Sequence, residues 1–126
     1  MDRRHFLAGL GVATATLPLN VKAQESVESF YRGKTIQLIV PTSPGGINDI
    51  SGRLAARHLG RYIPGNPNVV TRNMPGAGSI VAGNWLYSLA PKDGTVLGLV
   101  SPTMPLDEKL GAQGVKFESV KFNWIG

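Results

Sequence analysis

The sequence predicts an α/β fold that is built on a parallel β-sheet. Three short apolar runs, at residues 35–40, 68–73 and 95–101, alternate with two stretches of helical spacing. The order strand, helix, strand, helix, strand is typical of parallel sheets with right-handed crossovers. Each helix follows directly on a glycine-rich turn, so both turns are expected at the carboxyl-terminal edge of the sheet, where ligands bind in such folds.

The first residues have the layout of a secretory signal. Arg3 and Arg4 precede an apolar run over residues 6–19, and a short polar stretch ends at the small residue Ala23. We predict a signal peptide over residues 1–23 with cleavage after Ala23, and the arginine pair resembles the twin-arginine export motif. The mature chain, residues 24–126, is then expected in the periplasm without insertion into the membrane.

Residues 25–34 are interpreted as a polar lead-in to the first strand. The first helix is predicted from Asn48 or Asp49 to Ile63, with that first residue as its N-cap. Apolar and arginine side chains fall on different faces of this segment, which is the pattern of an amphipathic helix. Its apolar residues are Ile50, Leu54, Leu59, Tyr62 and Ile63.

The second half of the sequence is less regular. A second helix is predicted over residues 80–89, where Val81, Trp85 and Leu89 recur at helical spacing. A short helix is predicted over residues 104–110, and residues 122–126 resemble the beginning of another strand. Because natural chains rarely stop inside an element, we expect this sequence to be the amino-terminal part of a longer protein.

The composition argues against several classes of function. Thirteen lysine and arginine residues outnumber eight acidic ones, but they are spread along the chain, unlike the basic patches that bind nucleic acids. The chain has no cysteine, and no histidine or carboxylate cluster has the spacing of a metal site. His58 and the pair Asp107 and Glu108 are interpreted as surface residues. No catalytic residue, metal or cofactor is therefore predicted.

Two glycine-rich turns carry the functional prediction. Gly45 and Gly46 precede the first helix, and Gly76 and Gly78 precede the second. Unpaired N–H groups at a helix start and the helix dipole together attract anions, and glycine lets a ligand approach the main chain closely. Neutral donors beside these turns are Ser43, Asn48, Asn73 and Ser79.

Other interpretations of the two turns remain open at this point. They could be tight strand-to-helix connections without any ligand, with Asn48 or Asp49 serving only as a helix cap. If a ligand does bind, Asp49 could accept a hydrogen bond from its amine or hydroxyl group. A dinucleotide site fits less well, because Val81 stands where the third small residue of the Gly-x-Gly-x-x-Gly pattern belongs.

The turns and one later segment resemble the motifs of a known receptor family. Residues 39–49 read IVPTSPGGIND, residues 72–79 read RNMPGAGS and residues 90–97 read APKDGTVL. In order and spacing these motifs resemble the Bug-type substrate-binding receptors of tripartite tricarboxylate transporters. The resemblance extends over residues 30–126, with Ile47 and Ser79 at positions where that family commonly has glycine.

The resemblance implies a periplasmic receptor whose two lobes close on a small carboxylate and deliver it to the membrane subunits of a transporter. This sequence corresponds to the first, parallel-sheet lobe, and the second lobe is absent from it. In the family, the carboxylate is held between the two loops. Carried over to this sequence, the ligand-binding residues are Ser43, Gly45, Gly46, Asn48, Asp49, Asn73, Gly76, Ala77, Gly78 and Ser79.

Two alternatives to this receptor remain. One is a small exported α/β enzyme that acts on an anionic substrate at the same turns, and the lack of a base–nucleophile pair near them disfavours it. The other is a truncated chain that binds no ligand. Exposed apolar surface where a second lobe would dock would favour that second alternative.

Overall fold

A computed structural model describes residues 26–125 and shows a sheet of three parallel strands. The strands are β1 (Thr35–Val40), β2 (Asn68–Asn73) and β3 (Val96–Gly98), in the spatial order β2-β1-β3. β1 pairs with β2 along its whole length, and three of its residues pair with the shorter β3. The predicted α/β class with a parallel sheet is therefore confirmed, whereas the predicted signal peptide lies outside the described residues.

Four α-helices accompany the sheet in the described part of the chain. They are α1 (Val27–Tyr31), α2 (Ile47–Leu59), α3 (Ile80–Ser88) and α4 (Met104–Lys109). Short 3₁₀ turns occur at Gly60–Tyr62, Ala77–Ser79 and Ser119–Lys121. None of these helices combines the length and the hydropathy that crossing a membrane requires. The three helices predicted from spacing are present, with ends that differ by a few residues.

The segment interpreted as a polar lead-in contains α1, so that interpretation is wrong. The helix begins after Ser26, whose side-chain oxygen accepts a hydrogen bond from Ser29 N at 3.1 Å. At its other end the Tyr31 hydroxyl donates to Gly94 O at 3.1 Å. No residue of α1 is buried, so its Ser26 cap, the Tyr31 hydroxyl and close backbone packing against Gly65 hold it. Apolar spacing could not predict such a helix.

α2 packs through its small residues and not through its apolar ones. Gly52 and Ala56 are buried, and a Cβ atom on Gly52 would lie only 2.8 Å from Val40 Cγ2. Ile50 and Leu54, which belong to the predicted apolar face, are each 57% exposed. The predicted apolar face is therefore largely exposed, with Leu59 and Ile63 half-buried, because α2 lies too close to β1 at Gly52 for a large side chain to fit between them.

α3 is packed in the same way, with Ala82 and Gly83 as its buried residues. A Cβ atom on Gly83 would lie 2.9 Å from both Met104 Sδ and Phe117 Cε1. Met104, at the start of α4, is fully buried, as are most of the large side chains of β1. The core is thus centred on β1, and the chain that follows β3 completes it.

The chain after β3 departs from its predicted course. β3 ends at Gly98 and not at residue 101, although Leu99 N still donates to Ile39 O at 2.8 Å. Residues 122–125 form no strand. Instead, Trp124 Nε1 donates to Ser119 O at 2.9 Å, and its ring packs edge-on against Phe122. The aromatic run that resembled a strand belongs to a cluster of rings.

The strand order defines where a ligand site is expected. The chain passes from β1 through α2 to β2 on one side, and it returns through α3 to β3 on the other side of β1. The direction of winding therefore reverses at β1. This makes the carboxyl ends of β1 and β3 a topological switch point, the usual position of ligand sites in open α/β sheets.

Candidate ligand-binding site

A cleft of about 360 Å³ lies at the carboxyl-terminal edge of the sheet, at the switch point. Segments that follow all three strands and the start of α2 line it, so residues that are distant in sequence meet around one volume. The lining residues are Pro41, Thr42, Asn48, Ala77, Gly78, Ser79, Ile80, Ser101, Thr103 and Asp107. Most of these are small residues or neutral polar residues, which suits the orientation of a small polar ligand.

The turn before α3 has a left-handed backbone. Four consecutive residues have positive φ angles: 146° at Gly76, 44° at Ala77, 59° at Gly78 and 86° at Ser79. Left-handed alanine and serine each cost about 1–2 kcal/mol, so surrounding contacts must hold them. Ser79 supplies one such contact, because its buried Oγ accepts a hydrogen bond from Ser101 N at 3.0 Å. This bond joins two walls of the cleft.

The two glycines of this turn have different roles. A Cβ atom on Gly76 would lie 2.6 Å from Val81 Cγ2, so glycine there lets the turn pack against α3. Gly78 lines the cleft, and nothing beyond its chain neighbours lies within 4 Å of its Cβ position. The first N–H groups of a helix lack intrahelical partners and lie at the positive end of its dipole. Gly78 therefore keeps open the space at the start of α3, where the Ile80 amide donates to Ala77 O.

Asp49 is only 3% exposed, and its carboxylate accepts three hydrogen bonds from the protein. Oδ2 accepts from Arg53 Nε and from Gly45 N, each at 2.9 Å, and Oδ1 accepts from Asn73 Nδ2 at 2.8 Å. These bonds, that from Arg53 above all, hold the pKa of Asp49 well below its usual range. Asp49 does not line the cleft, and its carboxylate holds the first glycine turn in place through the bond from Gly45 N.

Asn73 links the same turn to the end of β2. Its Nδ2 also donates to Thr42 O at 2.9 Å, and its Oδ1 accepts from Arg53 Nη2 at 3.3 Å. We refer to Asp49, Arg53 and Asn73 as the Asp49 network. Its hydrogen bonds connect the loop after β1, the first turns of α2 and the last residue of β2.

The predicted side-chain cap of α2 is wrong. The N-cap is Gly46, which has no side chain with which to cap the helix. Asp49 is the third helical residue, and it accepts from Gly45 N, the amide just before the cap. This arrangement resembles the half of a capping box in which the third residue reaches back to a free amide. A Pro-Gly-Gly turn can begin this helix because Asp49 reaches back to it.

The loop after β3 forms a wall of the cleft that the sequence did not predict. Thr103 Oγ1 donates to Asp107 Oδ2 at 3.1 Å, and Ser101 Oγ lies 2.8 Å from Thr103 Oγ1. Thr103 N in turn donates to Ser101 Oγ at 3.2 Å. Ser101 ends the third predicted strand and the other two residues follow it, so the rule that ligands bind at strand ends could have identified the loop.

Thr42 was also missed, and its hydroxyl is unusual. Thr42 Oγ1 is buried and has no hydrogen-bond partner among residues 26–125. Buried hydroxyl groups are nearly always paired, because an unpaired one loses its hydrogen bonds to water without replacement. Since Thr42 lines the cleft, its hydroxyl is a candidate contact for a bound ligand.

The predicted site residues fall into two groups. Those that line the cleft are Asn48, Ala77, Gly78 and Ser79. Those that do not line it are Ser43, Gly45, Gly46, Asp49, Asn73 and Gly76. Within the second group, Gly45, Asp49 and Asn73 are hydrogen-bonded together, whereas Ser43 and Gly46 are exposed. Ligand binding by either group stays a prediction.

A second, larger groove of about 610 Å³ runs along β3 and residues 121–125. Its lining is mostly apolar and aromatic, with Lys92 and Lys121 as its cations. Within residues 26–125, no cluster of three or more histidine, cysteine or carboxylate side chains could hold a metal ion. The cleft at the switch point, where polar groups from several loops converge, is therefore the candidate site.

Comparison with known proteins identifies relatives of this sequence, although no family model matches it. The chain is 32% identical, over its whole length, to the UPF0065 protein in the gbd 5′ region of Cupriavidus necator, of which it spans 39%. Over 84% of its length it is 36% identical to protein BugT of Bordetella pertussis, of which it spans 31%. A UPF0065 protein of the same bacterium is 36% identical over 66% of the chain, which spans 25% of that protein. Over the part of their length that it spans, the chain is therefore similar to the UPF0065 and Bug proteins.

Proposed function

We propose that the protein is a periplasmic solute receptor that holds a small carboxylate in the cleft at the switch point and performs no chemistry on it. The observation that supports this best is the convergence of segments from three strand ends on one polar cleft. The kinship with Bug proteins supports a binding role over an enzymatic one. In this proposal the ligand passes to the membrane subunits of a tripartite tricarboxylate transporter.

A carboxylate in this cleft would be held by neutral donors. Among residues 26–125, no lysine, arginine or histidine lines the cleft. The turn before α3 lies at the positive end of the helix dipole, which attracts a carboxylate, whereas the first amide of α3, that of Ile80, donates to Ala77 O. From the β1 side, the Thr42 hydroxyl and the Asn48 amide can donate as well. Each such bond contributes about 0.5–1.5 kcal/mol net, so binding requires several of them together.

Replacement of Gly78 tests this proposal. The Gly78→Leu variant places a side chain in the open space at the start of α3, and it should abolish binding of citrate, succinate and glutamate in isothermal titration of the full chain. Gly111→Leu is a matched control, because Gly111 also has positive φ, also has an open Cβ position and does not line the cleft. Both variants should lose about 1–2 kcal/mol of stability, but only Gly78→Leu should lose the ligand.

The outcomes separate the parts of the proposal. If Gly78→Leu binds carboxylates as tightly as the unaltered chain does, the carboxylate does not bind in this cleft. Failure of the unaltered chain to bind any carboxylate would contradict the receptor role for this chain. Location is tested separately: osmotic shock of the native cells should release the protein, and its retention in the cytoplasm would contradict export.

A further inference from the structure

Ser79 stands at the N-cap of α3, but its side chain does not cap that helix. A serine at this position usually accepts a hydrogen bond from an amide of the first helical turn. Here the Oγ atom accepts instead from Ser101 N, in the chain after β3, and Ser79 is only 4% exposed. Its backbone is left-handed, a conformation that strains serine and that glycine adopts freely. The hydroxyl is therefore committed to a tertiary contact that helps to offset this strain.

The chain between β3 and α4 is anchored at both of its ends. Leu99 N donates to Ile39 O at 2.8 Å, so the residue after β3 still pairs with β1. Met104, at the start of α4, is fully buried in the core. We refer to the residues between these two anchors, 100–103, as the β3–α4 loop.

One hydrogen bond connects the β3–α4 loop to the opposite wall of the cleft. Thr103 N donates to Ser101 Oγ, and the Thr103 hydroxyl donates to Asp107 Oδ2, so these bonds stay within the loop or run to α4. The bond from Met104 N to Ser101 O is equally local. In the described part of the chain, only the bond from Ser101 N to Ser79 Oγ joins the loop to an element other than α4. Without the Ser79 hydroxyl, packing alone would keep the loop in place.

The position of the β3–α4 loop decides the shape of the cleft. Ser101 and Thr103 line the cleft at the switch point, whereas Val100 and Met104 line the second, apolar groove. The loop is thus the partition between the cleft and that groove. A loop that moved away from α3 would leave the cleft without this wall.

We propose that Ser79 is a positioning residue, whose hydroxyl holds the β3–α4 loop in place as a wall of the cleft before a ligand arrives. This inference rests on the proposed receptor function and gives Ser79 a role other than contact with the ligand. A loop that is already ordered loses no conformational entropy when the ligand binds. Fixing even one loose residue during binding corresponds to a loss of about tenfold in affinity.

The first experiment examines the full chain without a ligand. Ser79→Gly removes the hydroxyl and also relieves the left-handed strain, so its urea midpoint should stay close to that of the unaltered chain. The ¹⁵N order parameters of the Ser101 and Thr103 amides should fall from the value of rigid backbone, about 0.85, to that of flexible backbone, below about 0.6. Ala77→Gly is the matched control, because it relieves the same kind of strain at a φ of 44° and leaves the Ser79 hydroxyl intact. In that control the loop should stay rigid.

A second variant separates the hydroxyl from the strain. Ser79→Ala removes the hydroxyl and keeps the left-handed strain. It should therefore unfold at a lower urea concentration than Ser79→Gly, while its loop has equally low order parameters. A loose loop in both variants, at different urea midpoints, assigns the loop order to the hydroxyl and not to the stability of the whole fold.

The second experiment measures the effect on binding. Isothermal titration with citrate, succinate and glutamate should show that whichever of these the unaltered chain binds is bound about tenfold more weakly by Ser79→Gly. At saturation with that compound, the order parameters of Ser101 and Thr103 in the variant should return to rigid values, because the ligand then orders the loop.

The outcomes distinguish the positioning role from other roles of Ser79. If the loop stays rigid in Ser79→Gly, packing alone holds it and the proposal is wrong, and weaker binding in that case would mean that Ser79 contacts the ligand directly. A loose loop with unchanged affinity would also overturn the positioning role. If the unaltered chain binds none of the three compounds, the receptor function itself fails, whereas the order parameters still report whether Ser79 holds the loop.

Discussion

Thr42→Val separates the stability of the protein from its function. Valine replaces the threonine hydroxyl with a methyl group of similar size, so the shape of the loop after β1 is kept. The bond that Asn73 donates to Thr42 O involves only the main chain of Thr42 and is not changed. The substitution therefore removes one feature, a buried hydroxyl oxygen without a partner among the described residues.

The magnitude follows from the burial of that oxygen. An unpaired buried hydroxyl costs about 1–3 kcal/mol. The free energy of unfolding of the valine variant should therefore be higher by about 1 kcal/mol or more, and its urea midpoint should rise accordingly. For a domain of this size that corresponds to a rise in melting temperature of about 4–8 °C per kcal/mol. If the hydroxyl donates to a ligand, its loss weakens carboxylate binding by about 0.5–1.5 kcal/mol, or about twofold to tenfold.

Urea denaturation followed by circular dichroism measures the first effect, and isothermal titration measures the second. Thr42→Ser is the control, because it keeps the hydroxyl and should retain ligand affinity. A valine variant that is less stable than the unaltered chain would show that the hydroxyl is satisfied in the free protein. A more stable variant with unchanged affinity would show that the hydroxyl does not contact the ligand. Either result would refute the role given to Thr42.

Two further predictions concern stability. Gly83→Ala should destabilise the fold by about 1 kcal/mol in urea denaturation. Overpacking against Met104 and Phe117 costs about 1–3 kcal/mol, which outweighs a gain of about 1 kcal/mol in helix propensity. A stabilised variant would contradict the packing of α3. The pKa of Asp49 is lowered in the folded state, so its contribution is present above the unfolded pKa of about 4 and is lost as the pH falls below it. Lowering the pH from about 7 to about 3 should reduce the urea midpoint less in Asp49→Asn than in the unaltered chain, and equal reductions would show that the Asp49 network adds no pH dependence.

The sheet could be predicted from local patterns. The observed bounds of β1 and β2 equal the predicted ones, because each strand is a short β-branched run between turn residues. The packing of α2 could not be predicted in this way. Apolar spacing shows that a helix has two faces, but the distance to the sheet decides which face fits, and here Gly52 lies against Val40. That distance is a property of the assembled fold and not of the helix sequence.

The candidate site was predicted in part for a similar reason. The glycine turns were identified because their chemistry is local: a turn, a helix start and free amides occur within a few residues. Asp107 was interpreted as a surface acid on a short helix, since nothing in its own segment indicates a site. It reaches the cleft because β3 ends beside β1 and the loop to α4 bends back over that edge. Such a contribution is visible only when the strand order is known.

The Asp49 network also bears on how quickly a ligand can be captured. Its hydrogen bonds fix the loop after β1 against α2 and β2 without any contribution from a ligand. When a loop must be ordered during binding, the lost conformational entropy subtracts from the affinity. On this side of the cleft the loop is already ordered before a ligand binds, so no affinity is lost to ordering it. Association here should therefore be limited by diffusion and orientation, and not by a slow rearrangement of the loop.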